Sequence, residues 1–164
     1  MTESIEAQQR PEGHGSYTLR KAMPEDLVFL FKVSTDAMRP VVSALNPDKE
    51  FNNAEEFEKY KAKFNPDAIE IIQYEGEDVG RLRVVRSPES IYIGGIQILP
   101  AFQNRGIGTA LFADLITEAR QLQKPIVLEV HDVNEAAISF YKKLGFEEGE
   151  KVGDQTIVRY VPKD

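Results

Sequence analysis

Cysteine is absent from the 164 residues of the chain, and histidine occurs only twice. Without cysteine there is no disulfide framework, no thiolate metal site and no cysteine nucleophile. Nothing in the sequence points to an oxidising compartment, so we expect a cytoplasmic protein, and we assign no residue to a metal site.

Long apolar runs and an excess of basic residues are missing as well. The N-terminal region lacks the apolar stretch of about 7 to 15 residues of a signal peptide, and no window approaches the roughly 20 apolar residues of a membrane span. Lys and Arg number 20 against 27 Asp and Glu, a formal net charge of −7. This balance opposes attraction to phosphate backbones and anionic lipid. We therefore expect neither nucleic acid nor a membrane as a partner.

The length fits one domain, and a content of 41% apolar and 29% charged residues is typical of a globular chain. Residues 1–16 are rich in Glu, Gln, Gly and Pro and contain one bulky aliphatic residue, Ile5. Such a segment buries too little surface to offset the entropy of ordering. The sequence therefore predicts a flexible tail over residues 1–16 and a single domain over residues 17–164.

The first half of the chain reads as a strand, two helices and a set of strands. A strand over Tyr17–Ala22 precedes a helix that begins at Pro24 and is disturbed at Pro40. Asn53, followed by a glutamate three residues later, indicates the start of a second helix. From Ala68 to Leu99 the pattern predicts three strands with short connections, which is typical of an antiparallel meander.

The second half predicts a helix over Ile107–Gln123, a strand over Pro125–His131, a short helix over Glu135–Leu144 and a closing hairpin. The long helix can cross over the sheet and place strand 125–131 parallel to strand 91–99. The sequence thus predicts an α/β fold with a mixed, largely antiparallel sheet of about seven strands and about four helices.

A strand, a short loop with two glycines and the start of a helix follow one another in residues 96–111. Such a junction directs unpaired backbone N–H groups and the positive end of a helix dipole at one spot, which suits a phosphate or pyrophosphate. Alternatively, Gly106 and Gly108 only form a tight turn. The Rossmann and P-loop patterns both require glycine where Leu111 stands, so neither matches.

The pattern Q-x-x-G-x-G that begins at Gln103 resembles the acetyl-CoA loop, (Q/R)-x-x-G-x-(G/A), of the GNAT-type N-acetyltransferase superfamily. Residues 128–146 are similar to the later signature of that superfamily: a strand, Asn134, a short helix with Tyr141, and then Leu-Gly-Phe. The resemblance covers about Tyr17 to Val161. It implies the GNAT fold, with a cofactor cleft between two diverging parallel central strands.

The resemblance also implies that acetyl-CoA is the cofactor. The backbone of Ile96 to Ile98 would pair with the pantetheine arm, and the backbone of Asn104 to Thr109 would hold the pyrophosphate. Asn134 matches an asparagine that hydrogen-bonds the arm, and it also suits a helix N-cap. The implied cofactor-binding residues are Ile96, Gln97, Ile98, Gln103, Asn104, Arg105, Gly106, Ile107, Gly108, Thr109 and Asn134.

Two residues are implied as catalytic. Tyr141 matches a tyrosine that often protonates the departing thiolate, although its helical spacing also suits a core aromatic. Strand 91–99 carries no carboxylate, so Glu129 is the best substitute for the base. His131 lies on the same face of its strand by the period of two and could share that role. Alternatively, Glu129 and His131 are polar residues on a partly wet strand.

The activity implied is transfer of an acetyl group to a primary amine by direct attack, because no cysteine and no Ser/His/Asp arrangement for an acyl-enzyme is found. Open alternatives are a non-catalytic CoA-binding regulatory module, or an acyltransferase that uses another acyl group or a hydroxyl acceptor. We expect a small-molecule or peptide amine acceptor and a monomer or homodimer.

The resemblance implies that residues 35–65 shape the acceptor side. Adjacent Gly94 and Gly95 indicate either close approach of an acceptor or a bulge.

Overall fold

The structure is a computed structural model, and it describes residues 16–48 and 52–163. The predicted tail lies outside the described residues except for Ser16. The helices of the described residues are α1 (Leu27–Leu45), α2 (Asn53–Ala62), α3 (Ile107–Leu122) and α4 (Glu135–Lys143). The strands are β1 (Thr18–Lys21), β2 (Glu70–Tyr74), β3 (Glu77–Arg86), β4 (Ile91–Ile98), β5 (Ile126–His131), β6 (Glu147–Val152) and β7 (Gln155–Tyr160). None of these helices is both long enough and apolar enough to cross a membrane.

The seven strands form one open sheet in the order β1-β2-β3-β4-β5-β7-β6. The pairs β1–β2, β2–β3, β5–β7 and β6–β7 are antiparallel. The strands β4 and β5 pair in parallel, from Ile91 with Ile126 to Ile93 with Leu128, and β4 continues beyond this ladder to Ile98. The structure therefore confirms the predicted fold class, a mixed and mostly antiparallel seven-stranded sheet with four helices in the described residues.

The described residues form two compact units. The first unit contains the described residues up to Arg83 together with Gly95–Ala110, and the second contains Val84–Gly94 and the described residues from Leu111 onward. In the first unit the buried residues Ala22, Leu30, Ile69 and Ile71 pack together, with Phe29, Tyr60 and Phe64 against them. In the second unit the Phe112 ring contacts the rings of Phe140, Tyr141 and Phe146.

The local signals placed most element ends within one or two residues, and two differences have physical reasons. Helix α1 continues through Pro40 to Leu45, because the proline removes only one backbone donor while the burial of Leu30, Val33 and Val41 holds the helix in place. The N-cap of α2 is Asn52 rather than Asn53: its side-chain oxygen accepts from the Glu55 backbone N–H at 3.2 Å.

Candidate functional site

The junction between β4 and α3 lies within the first unit. A turn over Pro100–Phe102 follows β4, and two residues then adopt left-handed backbone conformations, Asn104 with φ of 63° and Gly106 with φ of 80°. The Gly106 carbonyl accepts the Ala110 N–H at 3.0 Å, so Gly106 stands at the N-terminus of α3. The positive φ favours glycine at this position.

The loop is tied back to the strand that precedes it. Gln103 donates from Nε2 to the Ile98 carbonyl oxygen at 2.9 Å, which fixes the loop against the end of β4. The guanidinium of Arg105 lies over the Phe102 ring, with Cζ 5.2 Å from the ring centroid. The glutamine of the loop pattern therefore holds the loop in shape through its side chain.

The backbone N–H groups of residues 104–109 donate to no protein oxygen among the described residues. Those of Ile107, Gly108 and Thr109 belong to the first turn of α3, where intrahelical acceptors do not exist. Residues 103–106 are exposed to solvent. The junction thus has a run of unpaired donors at the positive end of a helix dipole, and this arrangement fits a pyrophosphate.

The position of the last residues of β4 depends on a glycine of the neighbouring strand. A Cβ atom on Gly80 would overlap the Gln97 carbonyl oxygen and lie 3.2 Å from the Ile98 Cα atom. The Leu99 N–H donates to the Val79 carbonyl at 2.8 Å. Gly80 therefore permits the close backbone approach that sets the position of residues 96–98, the segment predicted to pair with the pantetheine arm.

Tyr141 lies on α4 in the second unit and is buried, with 6% of its surface exposed. Its ring centroid lies 5.3 Å from that of Phe112, 5.4 Å from Phe140 and 5.5 Å from Phe146. The Tyr141 hydroxyl makes no hydrogen bond to any of the described residues, and burial raises the pKa of the phenol to about 12. Tyr141 is thus packed as a core aromatic residue, and its hydroxyl remains available as a donor.

Asn134 is the N-cap of α4, so the predicted capping role is confirmed. Its side-chain oxygen accepts from the Ala137 N–H at 3.2 Å, and its own N–H donates to the His131 carbonyl at 2.9 Å. The side-chain NH₂ group donates to none of the described residues. Capping therefore leaves the amide hydrogens of Asn134 available for a ligand.

Glu129 and His131 lie on the same side of β5, alternating with the buried residues Leu128 and Val130. Glu129 is exposed and makes no hydrogen bond or ion pair within the described part of the chain. His131 has its Nδ1 atom 3.8 Å from an Asp154 carboxylate oxygen and its Nε2 atom 3.4 Å from Gln155 Nε2. The strand thus presents one unpaired carboxylate and one partly buried imidazole.

Arg81, on β3 in the first unit, was not predicted from the sequence to be a site residue. Its Nη1 atom donates to the Ser34 hydroxyl at 3.1 Å, and its Nη2 atom lies 3.1 Å from the position that a Cβ on Gly95 would occupy. Gly95 therefore accommodates a guanidinium of the chain itself, and the approach of an acceptor at the glycine pair stays a prediction. The feature of the sequence that could have identified Arg81 as a site residue is an arginine within an interior strand.

Two cavities adjoin the segment that the resemblance assigned to the acceptor side, residues 35–65. One of about 500 Å³ lies between α1 and α2, and its apolar lining includes Phe31, Met38 and Tyr60. The other, of about 380 Å³, is lined in part by Tyr60 and Arg81. Both are of a size that accommodates a small molecule or the end of a peptide.

The model of the acetyltransferase (GNAT) family matches residues 38–146. The chain is 32% identical over 145 residues to an uncharacterized N-acetyltransferase of Methanocaldococcus jannaschii, a match that covers 84% of this chain. The chain spans 63% of the length of that relative. It is also 28% identical over 148 residues to the 5-NmdU N-acetyltransferase of Pseudomonas phage PaMx11, covering 87% of this chain and 96% of the relative.

Solved structures share the fold. The PaiA N-acetyltransferase of Thermoplasma acidophilum, in complex with coenzyme A, superposes with a TM-score of 0.67 at 17% identity and covers 89% of this chain and 99% of that one. The family model spans well over half of the chain, including the β4–α3 junction and α4. The chain therefore belongs to the acetyltransferase (GNAT) family, whose members are acyltransferases that use acetyl-CoA.

Proposed function

We propose that this chain is an N-acetyltransferase that transfers an acetyl group from acetyl-CoA to a primary amine of a small-molecule or peptide acceptor. The observation that carries the proposal is the β4–α3 junction, where the N–H groups of residues 104–109 lack protein acceptors within the described part of the chain. When bound, acetyl-CoA supplies an acyl group activated as a thioester. The family match and the resemblance of the loop support the choice of this cofactor.

Three parts of the chain would hold the cofactor. The N–H groups of Asn104 to Thr109 would donate to the pyrophosphate, with Gln103 keeping the loop in place. The backbone of Ile96 to Ile98, whose position Gly80 helps to set, would pair with the pantetheine arm. The unused amide hydrogens of Asn134 would donate to the same arm. The coenzyme A complex of the Thermoplasma acidophilum protein, which shares the fold, is consistent with this assignment.

Proton movement would fall to the residues of the second unit. The Glu129 carboxylate is exposed and unpaired among the described residues, so its oxygens are free to accept a proton from an amine. His131 is the second candidate for this role. Tyr141 keeps its proton on Oη up to about pH 12, which makes the phenol a proton donor at every physiological pH. Direct attack requires no covalent link to the chain, which agrees with the absence of cysteine.

The test is release of the CoA thiol from acetyl-CoA in the presence of a panel of primary amines, with mass spectrometry of each acceptor. We expect thiol release that depends on the amine and an acetylated amine as product. Reactions without amine, with the matching alcohols and with propionyl-CoA serve as controls. Binding of acetyl-CoA without turnover of any amine would contradict the proposal and favour a non-catalytic CoA-binding module. Faster reaction of an alcohol would favour a hydroxyl acceptor, and faster reaction of propionyl-CoA would favour a different acyl group.

A further inference from the structure

Arg81 has no carboxylate partner among the described residues, although its guanidinium is largely buried. Its Nη1 atom donates to the Ser34 hydroxyl, and its Nε atom is buried without a hydrogen-bond partner. Burial lowers the pKa of the guanidinium, which nevertheless stays protonated, as arginine does in proteins. A buried charge without a counter-charge is unfavourable, so a role beyond packing is required to explain it.

Several other arginines of the chain are paired with carboxylates. Arg20 bonds Asp26 at 2.9 Å and Asp78 at 2.8 Å. Arg86, on the same strand as Arg81, bonds Glu118 at 2.7 Å. With 27 acidic residues in the chain, acidic partners are abundant. The exposed Arg105 and Arg120 also lack a carboxylate partner among the described residues, and Arg81 differs from them because its guanidinium is largely buried.

The cavity lined by Arg81 has several cationic side chains in its lining. Its volume is about 380 Å³, and Lys59, Lys63 and Arg83 also line it. None of its lining residues, among those that the structure describes, is acidic. Lys59 is paired with carboxylates of its own helix, 3.5 Å from Glu55 and 3.8 Å from Glu56, whereas Lys63, Arg81 and Arg83 have no carboxylate partner among the described residues. A cavity lined by these three cations attracts an anion, even in a chain of net charge −7.

A second buried polar atom without a partner lies near the same guanidinium. The side-chain oxygen of Gln97 is buried and makes no hydrogen bond within the described residues. From the position of a Cβ on Gly95, the Gln97 Nε2 atom is 3.8 Å away and the Arg81 Nη2 atom 3.1 Å away. Unsatisfied polar atoms on two side chains near Gly95 indicate that the chain alone does not complete this site.

We propose that Arg81 anchors an oxyanionic group, a carboxylate or a phosphate, that the amine acceptor carries. This inference rests on the proposed function. The site is separate from the predicted pyrophosphate site, because none of the cavity's described lining residues comes from the loop after β4. The planar guanidinium with free N–H donors matches the geometry of both oxyanions. The acceptor class is therefore an amine with an anionic group, such as an amino acid, a peptide with a nearby carboxylate, or an amino phosphate.

The first experiment compares acceptors that differ only in the anion. An amino acid is paired with its carboxamide, and phosphoethanolamine with ethanolamine, and kcat/KM is calculated on the concentration of free amine so that differences in amine pKa cancel. We expect the wild type to prefer the anionic member of at least one pair by about 10- to 100-fold, the range of a charge-assisted hydrogen bond. The pair that shows the preference distinguishes carboxylate from phosphate.

Variants then assign the preference to one residue. Arg81→Met keeps most of the side-chain volume and removes the charge, so it should abolish the preference, while Arg81→Lys should retain part of it. Arg86→Met removes the paired arginine of the same strand and should keep the preference. Equal kcat/KM within both pairs for the wild type, or a preference that survives in Arg81→Met, would overturn the proposal.

A second measurement does not depend on turnover. In the absence of ligand, Arg81→Met should melt no lower than the wild type, whereas Arg86→Met should melt lower because it loses an ion pair. Inorganic phosphate or acetate should stabilise the wild type more than Arg81→Met, since any binding at the β4–α3 loop is common to both. A fall in melting temperature for Arg81→Met as large as that for Arg86→Met would overturn the proposal. So would equal stabilisation of the wild type and Arg81→Met by phosphate and by acetate. Failure of amine acetylation alone would contradict only the proposed function.

Discussion

Two buried tyrosines of the second unit differ in what their hydroxyl groups contact, which makes them a matched pair for substitution by phenylalanine. The Tyr141 hydroxyl bonds no described residue, whereas the Tyr160 hydroxyl accepts a hydrogen bond from Arg120 Nε at 2.9 Å. The Phe146 ring contacts both, at centroid distances of 5.5 Å and 5.8 Å. We predict that Tyr141→Phe lowers turnover without lowering stability, and that Tyr160→Phe lowers stability without lowering turnover.

The magnitudes follow from these contacts. A hydrogen bond to a charged donor contributes about 1.5 to 3 kcal/mol, and 1 kcal/mol corresponds to about 2 to 4 °C for a chain of this size, so Tyr160→Phe should lower the melting temperature by about 3 to 12 °C. Tyr141→Phe removes a buried hydroxyl without a described partner, so the melting temperature should stay or rise. If the phenol is the general acid, kcat should fall by about 10² to 10⁴ with little change in acetyl-CoA affinity.

The raised pKa of Tyr141 adds a signature at alkaline pH. The phenol has a pKa of about 12 in the folded chain, against about 10 when unfolded. Its contribution to stability is therefore complete below pH 10 and is lost as the pH rises to about 12, a loss of about 3 kcal/mol. Tyr141→Phe should lack this component of alkaline unfolding, and Tyr160→Phe should retain it.

The assays are thiol release for turnover, and thermal and alkaline unfolding followed by circular dichroism. Unchanged turnover in Tyr141→Phe would return this residue to a purely packing role and refute the reasoning on the acid. An equal fall of turnover in both variants would instead show that the aromatic cluster, rather than a proton on Oη, determines the rate.

Three further predictions concern other parts of the chain. Gly108→Val should abolish CoA binding, measured by calorimetry, while cooperative unfolding persists, because a β-branched side chain blocks close approach to the N–H groups. Wild-type affinity in this variant would mean that the loop is only a turn and does not bind the cofactor. Glu129→Gln should lose activity most near neutral pH and recover part of it as rising pH supplies free amine. If His131→Ala shows this pH profile while Glu129→Gln has wild-type activity, the histidine is the base. Arg20 lowers the pKa of Asp26 by hydrogen bonding, so the stabilisation from this pair is present above about pH 4 and is lost as the pH falls through the lowered pKa. Arg20→Met should therefore unfold at a higher pH than the wild type in an acid titration. An unchanged midpoint would contradict the pairing.

The elements of the fold were predictable because their signals are local. The cap at Asn134 and the closing hairpin needed only neighbours within a few residues. The passage of α1 through Pro40 was not predictable in this way, because burial against distant residues outweighed the missing donor. Local rules therefore defined the elements, and tertiary packing adjusted their ends.

The candidate site was predictable where a loop pattern carries it and not where partners are distant in sequence. The glycines and Gln103 marked the β4–α3 junction, although the bond from Gln103 to Ile98 required coordinates. Arg81 meets Ser34, 47 residues away, and what distinguishes it is a missing partner. The absence of a counter-charge is a property of the folded neighbourhood, which no spacing in the sequence reveals.

The most direct test of the central claim is the melting temperature of the chain in a titration with acetyl-CoA. A ligand at a hundredfold excess over its dissociation constant stabilises the native state by about 2.7 kcal/mol, which corresponds to an increase of about 5 to 10 °C at this length. We predict that increase for the wild type and its loss in Gly108→Val. No shift of the wild type at millimolar acetyl-CoA would contradict the cofactor assignment and the acetyl transfer that depends on it.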